Sequence, residues 1–180
     1  MGEKTRNVVF VGVMAALVFV SSRISVPIPL AVGNTRLHLG NVFCLLSGFL
    51  LGPVGGGLAA GIGSMIFDLT DPLYISYAPF TFAFKFAMAF VCGLIAYGKN
   101  SQALNVRRNI VSGLIGMLLY IILHLTRTFL EAIWFRSIEF MPALASTGYS
   151  GLVSLINGAI AVIAAVPLGL AIKKGLAFLN

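Results

Sequence analysis

The sequence predicts an all-α integral membrane protein, a single domain over residues 1–180 with six transmembrane helices. Hydrophobic residues make up 59% of the chain and charged residues only 9%, too few to cover the surface of a soluble domain. The apolar segments are long and continuous instead of alternating, which favours helices over a β-barrel. A spanning helix needs about 20 mainly apolar residues, so the chain has room for about six.

Six apolar segments, separated by polar or proline- and glycine-rich connections, are predicted to form these helices. The first ends before Pro27 and Pro29, and Pro167 lies inside the last, where it can kink the helix. The second and third meet at Gly52 and Pro53, which predicts a tight hairpin. The predicted helices cover residues 7–22, 40–51, 54–69, 79–97, 109–129 and 151–172.

The distribution of basic residues predicts the orientation in the membrane. An even number of spans places both termini and the Gly52 turn on one side. The connections 25–36, 70–78 and 131–147, with most of the acidic residues, lie on the other side. The first side is therefore predicted to be cytoplasmic, because lysine and arginine concentrate there. Its basic residues are Lys4, Arg6, Lys99, Arg107, Arg108, Lys173 and Lys174.

Glycines recur four residues apart in the segment 37–69, as in Gly48, Gly52 and Gly56. Small residues at this spacing let membrane helices approach closely. Packing within one chain is the favoured interpretation, and a partner-binding face is the alternative. The first helix repeats the pattern with Gly12 and Ala16.

Polar residues inside the predicted helices indicate a binding site in the outer half of the membrane. A charged group there costs at least ~2.5–3.5 kcal/mol, so such residues are usually functional. On the fifth helix, polar residues 120, 124, 127 and 131 are spaced by four, three and four residues and share one face. The predicted substrate-binding residues are Asn41, Asp68, Tyr74, Tyr77, Lys85, Tyr120, His124, Arg127 and Asn157.

Structural roles are the alternative for these side chains. Lys85 can pair with Asp68, and Arg127 with Glu131, as static ties between helices or turns. Tyrosines near helix ends are typical of an interfacial aromatic belt. His38 is predicted to lie in an interfacial loop.

The sequence contains no arrangement that indicates catalysis. It lacks a metal-binding motif such as HExxH, and the glycine cluster 52–57 lacks the Lys-Ser/Thr of a nucleotide-binding loop. We therefore predict no enzyme activity, no metal and no cofactor of its own. The net charge of +7 does not indicate nucleic-acid binding, since the chain is overwhelmingly apolar and its predicted surroundings are the lipid bilayer.

The chain resembles the substrate-binding S components of energy-coupling factor (ECF) vitamin transporters along essentially its whole length. The resemblance rests on VGVMAALVF in the first helix, on HLGNVFCLLSGFLLGPVGGGLAAGIGSMIFDL, and on YAPFTFAFKF. It implies a vitamin-binding subunit of a bacterial cell membrane, driven by a membrane coupling protein and two cytoplasmic ATPases. It also implies that the first and the 70–78 outer connections act as lids. Gly12 and Ala16 match the family's small surface for the coupling protein.

The resemblance leaves the vitamin open. Lys85 and Arg127 are balanced by Asp68 and Glu131, which suits a neutral or weakly charged aromatic ring. Within the resembled family, the overall look of the chain is closer to the hydroxymethylpyrimidine or pyridoxine type than to the biotin type. If the two acids point away, an acidic vitamin such as pantothenate is favoured. A membrane scaffold without a ligand is an alternative of another class. A stand-alone secondary carrier is a third, but the chain shows no convincing inverted repeat.

Overall fold

The computed structural model describes residues 2–29 and 34–178. Five of the described helices are long and apolar enough to cross a membrane, by length and composition. Two strands, β1 and β2, connect α1 to α2, and short 3-10 turns at Ile75–Tyr77 and Gly98–Asn100 flank α3. In chain order the main elements are α1 Glu3–Arg23, β1 Ser25–Pro29, β2 Asn34–His38, α2 Gly40–Leu69, α3 Ala78–Tyr97, α4 Val106–Trp134 and α5 Phe140–Phe178.

Helix α2 breaks at Gly52, where the sequence predicts a turn. Gly52 has φ 74°, a conformation that side chains disfavour, and Pro53 follows it. The arms 40–51 and 53–69 then fold back on each other. A Cβ added to Gly56 would lie 2.6 Å from Cα of Gly48. The number of spans and the cytoplasmic position of the termini stay predictions.

The predicted outer connections contain more regular structure than expected. Strands β1 and β2 pair antiparallel, from Ser25 opposite His38 to Pro29 opposite Asn34. Residues 30–33 of the predicted 25–36 connection lie outside the described residues. Helix α4 continues to Trp134 and α5 begins at Phe140, so most of the predicted 131–147 connection is helical.

The helices pack closely around the Gly52 turn. An added Cβ on Gly93 would lie 2.7 Å from the backbone carbon of Gly52, so α3 contacts the turn directly. The Tyr97 hydroxyl lies 2.9 Å from the Leu50 carbonyl, which the break at Gly52 deprives of its helical partner. The Lys173 ammonium of α5 donates to the same hydroxyl at 2.8 Å. These contacts close the bundle around the turn, and the polar cavity lies towards the opposite end.

Candidate functional site

A cavity of about 320 Å³ opens at the end of the bundle opposite the Gly52 turn. This volume falls within the ~300–1,000 Å³ usual for small-molecule sites. Every predicted substrate-binding residue lines it, and none of them lies elsewhere. These residues are Asn41, Asp68, Tyr74, Tyr77, Lys85, Tyr120, His124, Arg127 and Asn157.

Lys85 lies at the bottom of the cavity, about two turns into α3. Its side chain is 3% exposed, and its ammonium donates a hydrogen bond to the Asn41 side-chain oxygen. The ammonium also lies 3.6 Å from the centre of the Tyr120 ring, a cation–π distance. Among the described residues no carboxylate lies within ion-pair distance, so a buried positive charge faces the cavity without a counter-ion.

Tyr120 and His124 form a flat aromatic surface on α4. Their rings stack with centroids 5.7 Å apart and an interplanar angle of 10°. The spacing of four residues on one helix produces this overlap. The pair offers a stacking platform beside the Lys85 ammonium.

Asp68 does not pair with Lys85, which corrects that alternative. Its carboxylate accepts a hydrogen bond from the Thr81 hydroxyl at 2.5 Å. Asp68 ends the second arm of α2, and Thr81 lies in the first turn of α3, so this contact fixes one helix end against another. Asp68 remains on the cavity wall.

A charged cluster around Glu131 borders the mouth of the cavity. The Glu131 carboxylate accepts hydrogen bonds from Tyr77 at 2.6 Å, from Arg136 at 2.9 Å, and from Arg127 one helical turn away. The Arg127 guanidinium also lies 3.8 Å from the centre of the Tyr77 ring. The predicted tie between Arg127 and Glu131 is therefore present, and Glu131 balances one of the two positive charges of the arginines.

The hairpin of β1 and β2 covers the cavity and is anchored on two sides. Arg36 forms an ion pair with Asp71 at 3.0 Å and stacks 3.5 Å above the Tyr74 ring. On the other side, the Asn157 amide of α5 binds two backbone groups of β2. It accepts from the His38 N–H at 3.1 Å and donates to the Arg36 carbonyl at 2.8 Å. Asn157 therefore acts towards β2 as a neighbouring strand would.

Residues 143–154 of α5 form a part of the cavity wall that the sequence did not predict. The region up to residue 147 was predicted to be a loop, and serines were not considered as site residues. The spacing of Ser146, Ser150 and Ser154 by four residues is the signal that places them on one helical face. All three line the cavity. The Thr147 hydroxyl beside them is buried without a hydrogen-bond partner among the described residues.

His38, predicted to lie in an interfacial loop, ends β2 and lines the cavity. Its Nδ1 accepts a hydrogen bond from the Gly40 N–H at 3.1 Å, so this nitrogen carries no proton. Burial lowers the pKa of His38 from 6.5 to about 3, and nearby Lys85 and Arg36 act in the same direction. The neutral imidazole then carries its proton on Nε2, where it is available as a donor.

His38 should therefore stay neutral throughout the physiological pH range. In an NMR titration between pH 5 and 8, its imidazole signals are expected not to move, because the pKa of about 3 lies below this range. In the unfolded chain the pKa of His38 is near 6.5, above its value in the fold. As the pH falls below 6.5, the unfolded chain therefore binds a proton that the folded protein does not, and the stability of the fold decreases. A midpoint near 6.5 would contradict the neutral state of the imidazole.

Replacing Asn157 with leucine should loosen the hairpin over the cavity. Loss of the bond to the His38 N–H is expected to speed hydrogen exchange at that amide by about tenfold. Ser154→Ala is the matched control, because Ser154 lies one turn earlier on the same face and, among the described residues, binds no group of β2. Equal exchange at His38 in both variants would show that Asn157 does not hold the strand.

The pairing of charges determines what the cavity can bind. Arg36 is paired with Asp71, and Arg127 and Arg136 share Glu131. Only Lys85, among the basic residues described along the cavity wall, lacks an acidic partner. The arrangement suits a flat ring with hydrogen-bond acceptors directed at Lys85, and polar substituents directed at the hydroxyl wall of α5.

Comparison with known proteins gives one family match over nearly the whole chain. The model of the ECF-type riboflavin transporter S component family matches residues 2–174. A solved structure, described as the S component of a bacterial ECF transporter, superposes with a TM-score of 0.72 at 18% identity. It covers 97% of this chain and 99% of the other. This likeness supports the same helical fold.

Two curated relatives are similar over part of the chain. An uncharacterized protein from Pyrococcus woesei, encoded in the gap 3' region, is 29% identical over 98 residues. A UPF0397 protein of Lactiplantibacillus plantarum is 41% identical over 63 residues. The matches span 54% and 35% of this chain, and 64% and 33% of the respective relatives.

Proposed function

Because the chain belongs to the family of ECF-type riboflavin transporter S components, we propose that it is the substrate-binding subunit of an ECF importer. The family consists of transport subunits and not of enzymes, which confirms the prediction of no enzyme activity. The family and the five apolar helices also confirm a multi-pass membrane protein. A polar cavity inside the bundle would have no role in a scaffold protein that binds no ligand.

The proposed substrate is riboflavin or a closely related flavin. Such a molecule combines a flat heteroaromatic ring system bearing carbonyl oxygens with a polyhydroxyl side chain. The ring can stack on Tyr120 and His124 while a carbonyl accepts from Lys85. The side chain can reach the hydroxyls of Ser150, Ser154 and Thr147 on α5. The name of the family supports this choice over the smaller hydroxymethylpyrimidine or pyridoxine ring predicted from the sequence.

The observation that carries the proposal is the unpaired Lys85 ammonium beside an aromatic stack. A buried ammonium without a counter-ion is costly in a membrane bundle, so a ligand acceptor provides the missing partner. A carboxylate would serve as well, which keeps pantothenate as the alternative. A neutral acceptor is favoured because Asp68, which has no ion-pair partner among the described residues, also lines the cavity and would repel a negative ligand.

Titration of the purified protein with a vitamin panel tests the substrate. The panel contains riboflavin, hydroxymethylpyrimidine, pyridoxine and pantothenate. Flavin binding is expected to quench the fluorescence of riboflavin and to exceed the affinity for the other three. Tight binding of pantothenate or of a single-ring vitamin, with riboflavin ineffective, would overturn the flavin assignment while leaving the transport role in place.

We place the cavity mouth outside the cell and both termini in the cytoplasm of a bacterial cell. The support is the concentration of unpaired basic residues at the end of the bundle that carries the Gly52 turn. The Glu131 cluster and the Arg36–Asp71 pair lie at the opposite end, where these arginines have acidic partners. The cavity then collects its substrate from the external medium.

The proposed partners are a membrane coupling protein and two cytoplasmic ATPases, since this chain carries no nucleotide-binding loop. Gly12 and Ala16 of α1 are the proposed contact surface for the coupling protein. Both residues are exposed on α1, and nothing lies within 4 Å of a Cβ added to Gly12. They form a shallow depression among larger exposed residues such as Val8 and Val20, where a partner helix can approach closely.

Tryptophan at Gly12 and Ala16 is expected to abolish association with the coupling protein. The added rings fill the depression, whereas vitamin binding should remain unchanged because the cavity is formed elsewhere. Co-purification with the ATPase module and vitamin titration measure the two effects. Phe10→Trp is the matched control, because Phe10 is a large residue already half exposed on the same helix. Lost vitamin binding with an intact complex would contradict the assignment.

A further inference from the structure

An apolar groove runs between α4 and α5 at the end of the bundle that carries the Gly52 turn. It has a volume of about 360 Å³, and every residue lining it is apolar. It lies at the opposite end from the vitamin cavity and shares no residue with it. The lining residues are Val106, Ile110, Val162, Ile163, Val166, Pro167 and Leu170.

The groove follows from where the glycines of α4 and α5 lie. In the middle of the pair, an added Cβ on Gly113 would contact Val162 at 3.2 Å, and one on Gly158 would contact Met117 at 3.2 Å. The two helices are therefore close there. Towards the start of α4, Ile110 and Val106 take the place of small residues, so the helices are held apart and an apolar channel remains.

Two basic side chains border this groove without protein partners. Arg107 follows Val106 and precedes Ile110 by three residues, and Lys174 follows Leu170 by one helical turn. Both are exposed, and within the described residues neither has a hydrogen bond or ion pair.

The adjacent basic residues are engaged within the protein instead. Arg108 donates to the Ile95 carbonyl at 2.7 Å, and Lys173 donates to the Tyr97 hydroxyl at 2.8 Å. The two cations that border the groove therefore differ from their immediate neighbours in the chain, which are held by protein groups.

We propose that this groove binds one acyl chain of an anionic phospholipid, with the phosphate held by Arg107 and Lys174. An apolar groove that ends at cations matches the chemistry of such a lipid, with its tail in the membrane and its charge at the surface. Anionic lipids would then stabilise the contact between α4 and α5, the two helices that carry the aromatic platform and the hydroxyl wall. The site is independent of the vitamin.

Native mass spectrometry of the full chain tests this site. The protein is purified in detergent with equal amounts of phosphatidylglycerol and phosphatidylcholine, and the retained lipid is counted. The wild type is expected to retain phosphatidylglycerol preferentially. The pair Arg107→Gln and Lys174→Gln should reduce this preference by about 25-fold, since each basic residue near the lipid contributes about fivefold.

The control pair is Lys4→Gln and Arg6→Gln, which removes the same charge from exposed positions of α1. This pair should keep the preference, and an equal loss would show that net charge alone retains the lipid. Ile110→Trp should lower retention by filling the groove. Absence of a preference in the wild type, or full retention in Ile110→Trp, would overturn the site. Lost binding of the coupling protein in Ile110→Trp, with lipid retention unchanged, would assign the groove to that partner instead.

Discussion

Replacing Lys85 with methionine is expected to weaken vitamin binding by about 100-fold or more, the usual effect of truncating one partner of a buried charged hydrogen bond. The change removes the ammonium that faces the cavity and leaves the buried Asn41 oxygen without its donor. Methionine preserves most of the volume and apolar length of the side chain, so packing within α3 should survive. Titration of the purified variant with riboflavin measures the loss.

Lys173→Met is the matched control for this experiment. Lys173 is also a partly buried lysine that donates to a neutral oxygen, but it lies at the end of the bundle away from the cavity. Its substitution should change the riboflavin affinity by no more than a small factor. Loss of a charged hydrogen-bond partner lowers affinity by at least about tenfold. If the riboflavin affinity of Lys85→Met lies within about threefold of the wild type, Lys85 is not part of the binding site.

Replacing Gly63 with alanine is expected to lower the stability of the bundle by about 3 kcal/mol, near the upper end of overpacking effects. The added Cβ would lie 2.3 Å from the Ala15 backbone oxygen and 2.8 Å from Cβ of Val18. Because a backbone oxygen cannot rotate aside, α1 must move away from the second arm of α2. Thermal unfolding in detergent should shift down by about 10 °C for a chain of this size.

Gly12→Ala is the control for this substitution, since it makes the same chemical change in the helix that Gly63 contacts. Nothing lies within 4 Å of the added methyl group, and alanine has a higher helix propensity than glycine. The unfolding temperature should stay equal or rise slightly. A similar fall in both variants would mean that close packing of α1 against α2 is not the cause.

The sequence predicted the residues of the cavity because their signals are local. Tyr120, His124 and Arg127 share a face of α4 through the helical period alone. Lys85 and Asp68 stood out because charge is rare inside apolar helices. Gly52 and Pro53 likewise predicted the break in α2, because a Gly-Pro pair between two apolar segments is typical of a turn.

Features that depend on distant contacts were not predicted. Pro27 and Pro29 argue against a strand because proline cannot donate a hydrogen bond to a sheet. Strand β1 tolerates them because it is an edge strand that pairs on one side only, with β2. The hydrogen-bond partner of Lys85 is Asn41 instead of Asp68, a choice that depends on how α2 and α3 pack. The start of α5 was missed because its first turns expose polar and small residues to the cavity, which weakens the apolar signal of a membrane helix.

The proposed occupant of the cavity around Lys85 is a vitamin of the flavin type. Mass spectrometry can identify it in small molecules extracted from the purified protein, after expression in vitamin-containing medium and without added ligand. We expect a flavin in the wild type and its loss from a folded Lys85→Met variant. A folded wild type that carries no vitamin, or a bound molecule that Lys85→Met retains in full, would contradict this proposal.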